Sequence, residues 1–154
     1  MEIKNIEERA AQAVQNFKEG YNCCQSVVMA YADLYGKTAD EMAVIASAFG
    51  GGMAKMREVC GTCTGMFMIA GLQIPANDPK DKEAKAANYK LVQELAEEFR
   101  RENGSIICRE LLGLDGKSAA AGAEGCAGQE KKKRPCPELI RMAVEIVGRK
   151  LQTL

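Results

Sequence analysis

Apolar residues recur at helical spacing along most of the chain, and no run of four to eight β-branched residues interrupts them. Residues three and four apart share one face of a helix, so each such segment has one stripe to bury. Ile3, Ile6, Ala10, Ala13, Val14 and Phe17 make the first stripe, and Gly20 stops it. Asn22 and Gln25 are spaced as a capping box, opening a helix through Val27, Val28, Tyr31 and Leu34 to Gly36. Thr38 and Glu41 repeat that spacing ahead of Met42, Ile45, Ala46 and Phe49. A further run starts near Cys60 and carries Met66, Phe67, Ile69, Ala70 and Leu72. Asp78-Pro79 reads as the cap and first turn of the next helix, with Ala84, Ala87, Leu91, Leu95 and Phe99 on its face and Asn103-Gly104 at its end. Ser105 reads as the cap of a short helix through Cys108, Leu111 and Leu112, and Pro137 opens a last one with Ile140, Ala143, Val144, Val147 and Leu151. The pattern predicts an all-α fold: a compact single-domain bundle of six or seven helices over residues 1–154, some of them short. Residues 113–135, dominated by glycine, alanine and lysine, are expected to form a flexible loop.

Two sets of glycines stand out. Gly50, Gly51 and Gly52 break a helix, and each sacrifices about 0.5–1 kcal/mol of helix stability. A flexible corner and a close backbone approach to a site explain them equally well. Gly61 and Gly65, four apart, leave one helix face without side chains, which admits a neighbouring helix or a ligand. Helix packing is the default; as cofactor-binding candidates the five positions are Gly50, Gly51, Gly52, Gly61 and Gly65. The methionines Met53, Met56, Met66 and Met68 read as core.

Lys plus Arg and Asp plus Glu both number 21, so no global field points to nucleic acid or an anionic membrane. Lys131-Lys132-Lys133-Arg134 reads as solvated loop. No stretch is long and apolar enough to span a bilayer, and the charged start carries no leader pattern, so a cytoplasmic protein is expected. Histidine is absent, which removes Ser-His-Asp and Cys-His catalysis and His-ligated metal sites. Cysteine occurs seven times. In a reducing compartment that count argues for metal binding or reactive thiols over a disulfide framework.

Cys23, Cys60, Cys108 and Cys136 each fall at the expected start of a helix. Free N–H groups and the positive end of the helix dipole favour a thiolate there. Four thiolates without histidine suit zinc or an iron–sulfur cluster. Their separations of 37, 48 and 28 residues match no compact zinc ribbon or ferredoxin run, so the fold must assemble them. Cys60-Gly61-Thr62-Cys63 is a second signal: a CxxC at a helix start places an attacking and a resolving thiol on one side, making Cys60 and Cys63 the catalytic candidates. The βαβ context that usually accompanies such a pair is missing, and Cys63 reads equally as a small core residue. Cys24, adjacent to Cys23, points elsewhere and reads as core; Cys126, in the loop, reads as incidental.

Gly20–Val27, Phe49–Met53, Cys60–Gly65, Gly104–Cys108 and Cys136 together resemble the redox-active proteins named for their C_GCAxxG_C_C cysteine–glycine pattern, over about residues 10–148. The resemblance implies Cys23, Cys60, Cys108 and Cys136 as the shared cysteines, the same four that helix position singles out. Cys24, Cys63 and Cys126 depart from the usual pattern. The domain also resembles the non-haem helical part of split-Soret cytochromes, where an iron–sulfur site accompanies the fold; with no CxxCH, covalent haem is not expected. The expected function is a cysteine-based redox protein. First comes an iron–sulfur cluster for electron transfer or redox sensing, with a redox protein as partner. The alternatives are a thiol–disulfide oxidoreductase using Cys60 and Cys63, and a structural zinc or interaction module. Helical domains of this size often pair, so a homodimer is kept among the partners.

Overall fold

The computed structural model describes residues 2–114 and 136–154. The loop expected at 113–135, with Cys126 and the basic run, lies outside the described residues apart from Gly113 and Leu114. Among the described residues every named element is a helix, and the β contact is one isolated antiparallel bridge, Val59 to Ile107. The elements are α1 (Ile6–Lys18), α2 (Cys23–Met29), a 3₁₀ turn (Ala32–Tyr35), α3 (Ala39–Ile45), α4 (Gly50–Met53), α5 (Gly61–Gln73), α6 (Lys82–Asn103), α7 (Cys108–Leu111) and α8 (Cys136–Gln152). The all-α expectation holds.

The centre of the bundle is α5, which is apolar all round. Gly61 through Met66, with Ile69 and Ala70, are buried, as expected of a helix with no polar face. It packs against α2, α6 and α8, while α1 lies along α8 and α2. Tyr31, Met66, Ile69, Leu95, Phe99, Ile140, Ile146 and Leu151 fill the shared core. The small faces do what close packing requires. A Cβ on Gly65 would lie 2.9 Å from Val27 Cβ, so the missing side chain lets α2 and α5 touch.

Several boundaries differ from the sequence expectation. The second helix stops at Met29 and resumes as the 3₁₀ turn rather than running to Gly36. Asn22 and Gln25 do form a reciprocal capping box, whereas at Thr38 only one half is present, the Glu41 N–H donating to the Thr38 hydroxyl. Helix α6 begins at Lys82, with Asp81 as its cap, not at Asp78-Pro79. Met56 is exposed rather than core.

The three glycines are not a flexible corner. Gly51 (φ 65°, ψ 33°) and Gly52 (φ 67°, ψ 53°) enter the left-handed region, and Met53, Ala54 and Lys55 follow with φ of 68°, 51° and 64°. Arg57 has φ 61°. Left-handed backbone costs a residue with a Cβ about 1–2 kcal/mol, and such residues ordinarily occur singly. Here the run is held from both ends. Lys55 N donates to Gly50 O (3.1 Å), Arg57 N to Gly51 O (3.2 Å) and Glu58 N to Gly52 O (2.9 Å). The next residues are clamped to the start of α7 by the Val59–Ile107 bridge.

Candidate functional site

Each of the four helix-start cysteines is where its local sequence puts it. Cys23 is the first residue of α2, after the Asn22 cap; Cys60 is the cap residue of α5; Cys108 and Cys136 are the first residues of α7 and α8. The dipole argument is weakest at α7, which has only four residues. None of the six described cysteines is in a disulfide, and all are buried.

The structure also brings the four together. The Val59–Ile107 bridge sets two of them. Cys60 N donates to Ile106 O at 2.8 Å and Cys108 N donates to Glu58 O at 2.6 Å. Alternation along an extended strand then turns Cys60 and Cys108 to the same side of that short ribbon. Cys23 is brought in by close packing, since a Cβ on Gly61 would stand 3.0 Å from Cys23 Cβ. Cys136 closes the set by a side-chain hydrogen bond with Cys23. That bond, burial and the nearby sulfurs of Cys136, Cys60 and Cys108 all push the Cys23 thiol up. In this arrangement, among the described residues, no three cysteine or carboxylate side chains are gathered tightly enough to ligate a single ion. The donor set is all thiol, which suits a sulfur-bound group in kind; its members are not placed to ligate one ion.

Within the set Cys60 is distinctive. Its pKa is brought down to about 6, first by the hydrogen bond from Cys63, against the opposing effect of burial. Thr62 Oγ1, 3.1 Å from the sulfur, and the backbone N–H groups of Thr62 and Cys63 add to the effect. Cys63 moves the other way: burial, then its bond to Cys60, raises it well above the ordinary thiol value. The two thiols of this turn are thus pushed in opposite directions. Cys24 belongs to the main core, with its sulfur 3.5 Å from Met68 Sδ, and burial raises its pKa to about 12.

The glycine candidates divide between packing and the site. Gly50 lies under the Asn22 side chain, and Gly61 and Gly65 serve the α2–α5 contact. Gly52 lies directly against the site: a Cβ there would fall 2.6 Å from Cys108 Cβ and 2.8 Å from Arg57 Cα. A Cβ on Gly51 would come within 3.6 Å of Arg57 Nη1.

Arg57 is the functional candidate that sequence reasoning missed. It is the largest fully buried side chain, at 0% exposure, and its Nη1 donates to Cys108 Sγ at 3.8 Å. A buried guanidinium is costly unless it faces acceptors or negative charge. The available signal was its position between the glycine run and Cys60, but helical periodicity carries no information there.

A helical bundle that gathers buried sulfur at four helix starts, with a buried guanidinium against one of them, defines a thiol-centred protein. Residues 21–150 match the model of the family described as "Putative redox-active protein (C_GCAxxG_C_C)", and the chain belongs to that family. A general redox role accompanies that membership. No curated protein and no solved structure matches the chain. Among the described residues no helix is long and apolar enough to cross a membrane.

Proposed function

We propose that this protein carries or senses electrons through a centre built by Cys23, Cys60, Cys108 and Cys136, and that the group they hold is an iron–sulfur cluster. The observation that carries this reading is burial. The four cysteines are 1–2% exposed. Disulfide exchange with a partner protein requires one sulfur to reach another directly, whereas an electron crosses a shell of packed atoms. When bound, the cluster supplies reversible one-electron chemistry. The chain's own part is to present four thiol ligands from separate helices, to direct N–H groups of helix starts at the sulfurs, and to exclude water. The partner is a redox protein or a small electron carrier.

Purification without oxygen, followed by visible absorption and analysis for iron, zinc and acid-labile sulfide, tests the reading. Broad absorption near 400 nm with stoichiometric iron and sulfide is expected, lost on replacing any one of the four cysteines by Ser. Colour and iron that persist in all four variants would overturn it. Stoichiometric zinc without colour would make the site structural instead.

A second reading rests on the Cys60–Cys63 pair. The Cys60 thiolate attacks a small disulfide and expels one thiolate; Cys63 then attacks the mixed disulfide and expels the other. The dithiol is oxidised by two electrons and the substrate disulfide is reduced by two. Hydrogen bonds that hold Cys60 at about 6 while Cys63 keeps its proton favour it. It predicts a colourless protein whose disulfide-reducing turnover is lost in Cys60→Ser and kept in Cys24→Ser.

A further inference from the structure

We infer that Arg57 is a positioning residue of this site: its guanidinium sets a fixed positive charge against the Cys108 sulfur. Three observations converge on it. The side chain is wholly buried, and its Nη1 reaches Cys108 Sγ at 3.8 Å. The backbone beneath it is kept in a left-handed conformation through Gly51–Lys55 and again at Arg57. Gly52 has no Cβ at the point where Arg57 Cα and Cys108 Cβ crowd together. Both partners are tied to one another through the main chain as well. Arg109 N donates to Arg57 O at 3.3 Å, Arg109 Nη1 reaches the same carbonyl at 2.9 Å, and Cys108 N donates to Glu58 O. Glu58, the adjacent carboxylate, is half-exposed and pairs with Arg109 at 3.2 Å.

Strained backbone persists where the surrounding structure over-determines it, and it concentrates at functional sites. Here the strained run delivers one group to the sulfur, a charge that cannot be deprotonated. An arginine so placed stabilises the more negative state of whatever redox centre Cys108 belongs to. Reduced thiolate and reduced cluster are both the more negative partner, so the predicted sign is the same for each. The effect on potential rests on the redox reading above; the Arg57–Cys108 pairing does not.

The test uses the full chain with Arg57→Gln, which removes the charge but keeps donors, and Arg57→Lys, which keeps the charge. Both can occupy the left-handed position as well as arginine does. The midpoint potential is expected to move to more negative values in R57Q and to return toward the parent value in R57K. A double-mutant cycle of R57Q with Cys108→Ala, read by urea unfolding under reductant, is expected to show the pair non-additive by about tenfold in the unfolding equilibrium constant. Additive stabilities would overturn the pairing. An unchanged potential in a folded R57Q protein would overturn its role in the centre. If the parent protein has no reversible couple at all, the redox reading falls, while the cycle still decides the pairing.

Discussion

Gly52 shows how much a single residue can determine. Its φ of 67° strains any residue with a Cβ, and the added atom would meet Cys108 Cβ at 2.6 Å and the backbone of Arg57 and Glu58 at 2.8 Å. Backbone neighbours cannot rotate away as the end of a flexible side chain can. Gly52→Ala is therefore expected to cost roughly 2–4 kcal/mol in urea unfolding; a loss below about 0.5 kcal/mol would contradict the geometry. The three glycines were legible in the sequence as an anomaly. Their left-handed path was not, because a run of φ angles leaves no hydrophobic period. Arg57 was hidden for a related reason: a charged residue reads as solvent-facing until its neighbours in space are known.

At the level of elements, helix α5 separates two kinds of glycine. Gly65 faces Val27 across the α2 contact, and a Cβ there would intrude to 2.9 Å. Gly71 lies in the same helix, and a Cβ on it would meet nothing within 4 Å. Thermal unfolding should show Gly65→Ala destabilised by about 1–3 kcal/mol through overpacking. Gly71→Ala should be stabilised by about 0.4–1 kcal/mol, since alanine loses less backbone freedom on folding. Equal effects at the two sites would refute the assignment of faces. Helix starts were read well where a side chain reaches its own first turn, as at Asn22. The start of α6 was misplaced because Asp78 spends its carboxylate on Lys80 N (2.9 Å) in a local turn, and Asp81 takes the capping role toward Ala84 N. Two plausible caps three residues apart look alike in sequence; only the hydrogen bonds separate them.

On the scale of the whole molecule, distant segments are joined by a few polar contacts laid over the core. Tyr31 Oη donates to Val144 O at 2.7 Å, and Gln152 Nε2 to Ile3 O at 3.0 Å. Lys150 pairs with Glu94. Arg9, on α1, donates to both oxygens of Asp33 (2.6 and 3.0 Å) and to Ala30 O (2.8 Å). The Arg9 hydrogen bonds hold the Asp33 carboxyl below its ordinary value of 3.8. A depressed carboxyl contributes stability above its unfolded pKa and loses it as pH falls through the folded one. Asp33 is largely exposed, so the contribution at neutral pH is a few tenths of a kcal/mol. Asp33→Asn should be less stable by about that amount at pH 7, with the difference shrinking as pH falls below 3.8 and gone below the depressed folded value. A difference that grows on acidification would reverse the sign argued here.

The sequence alone determined the helical class, most of the apolar faces and the four cysteines at helix starts. These are properties of short windows, governed by helical period and by caps that act within one turn. With no histidine and seven cysteines, it also pointed to sulfur as the carrier of any chemistry. Tertiary structure decided what windows of that length cannot encode. It set Cys60 and Cys108 on one side of a two-residue bridge, hydrogen-bonded Cys23 to Cys136 across the bundle, and assigned Cys24 to the core. It buried Arg57 against Cys108 through a left-handed path. Segments tens of residues apart meet only because the packing of α2, α5 and α8 brings their ends to one place, and that convergence is a property of the packed bundle, not of any helix within it.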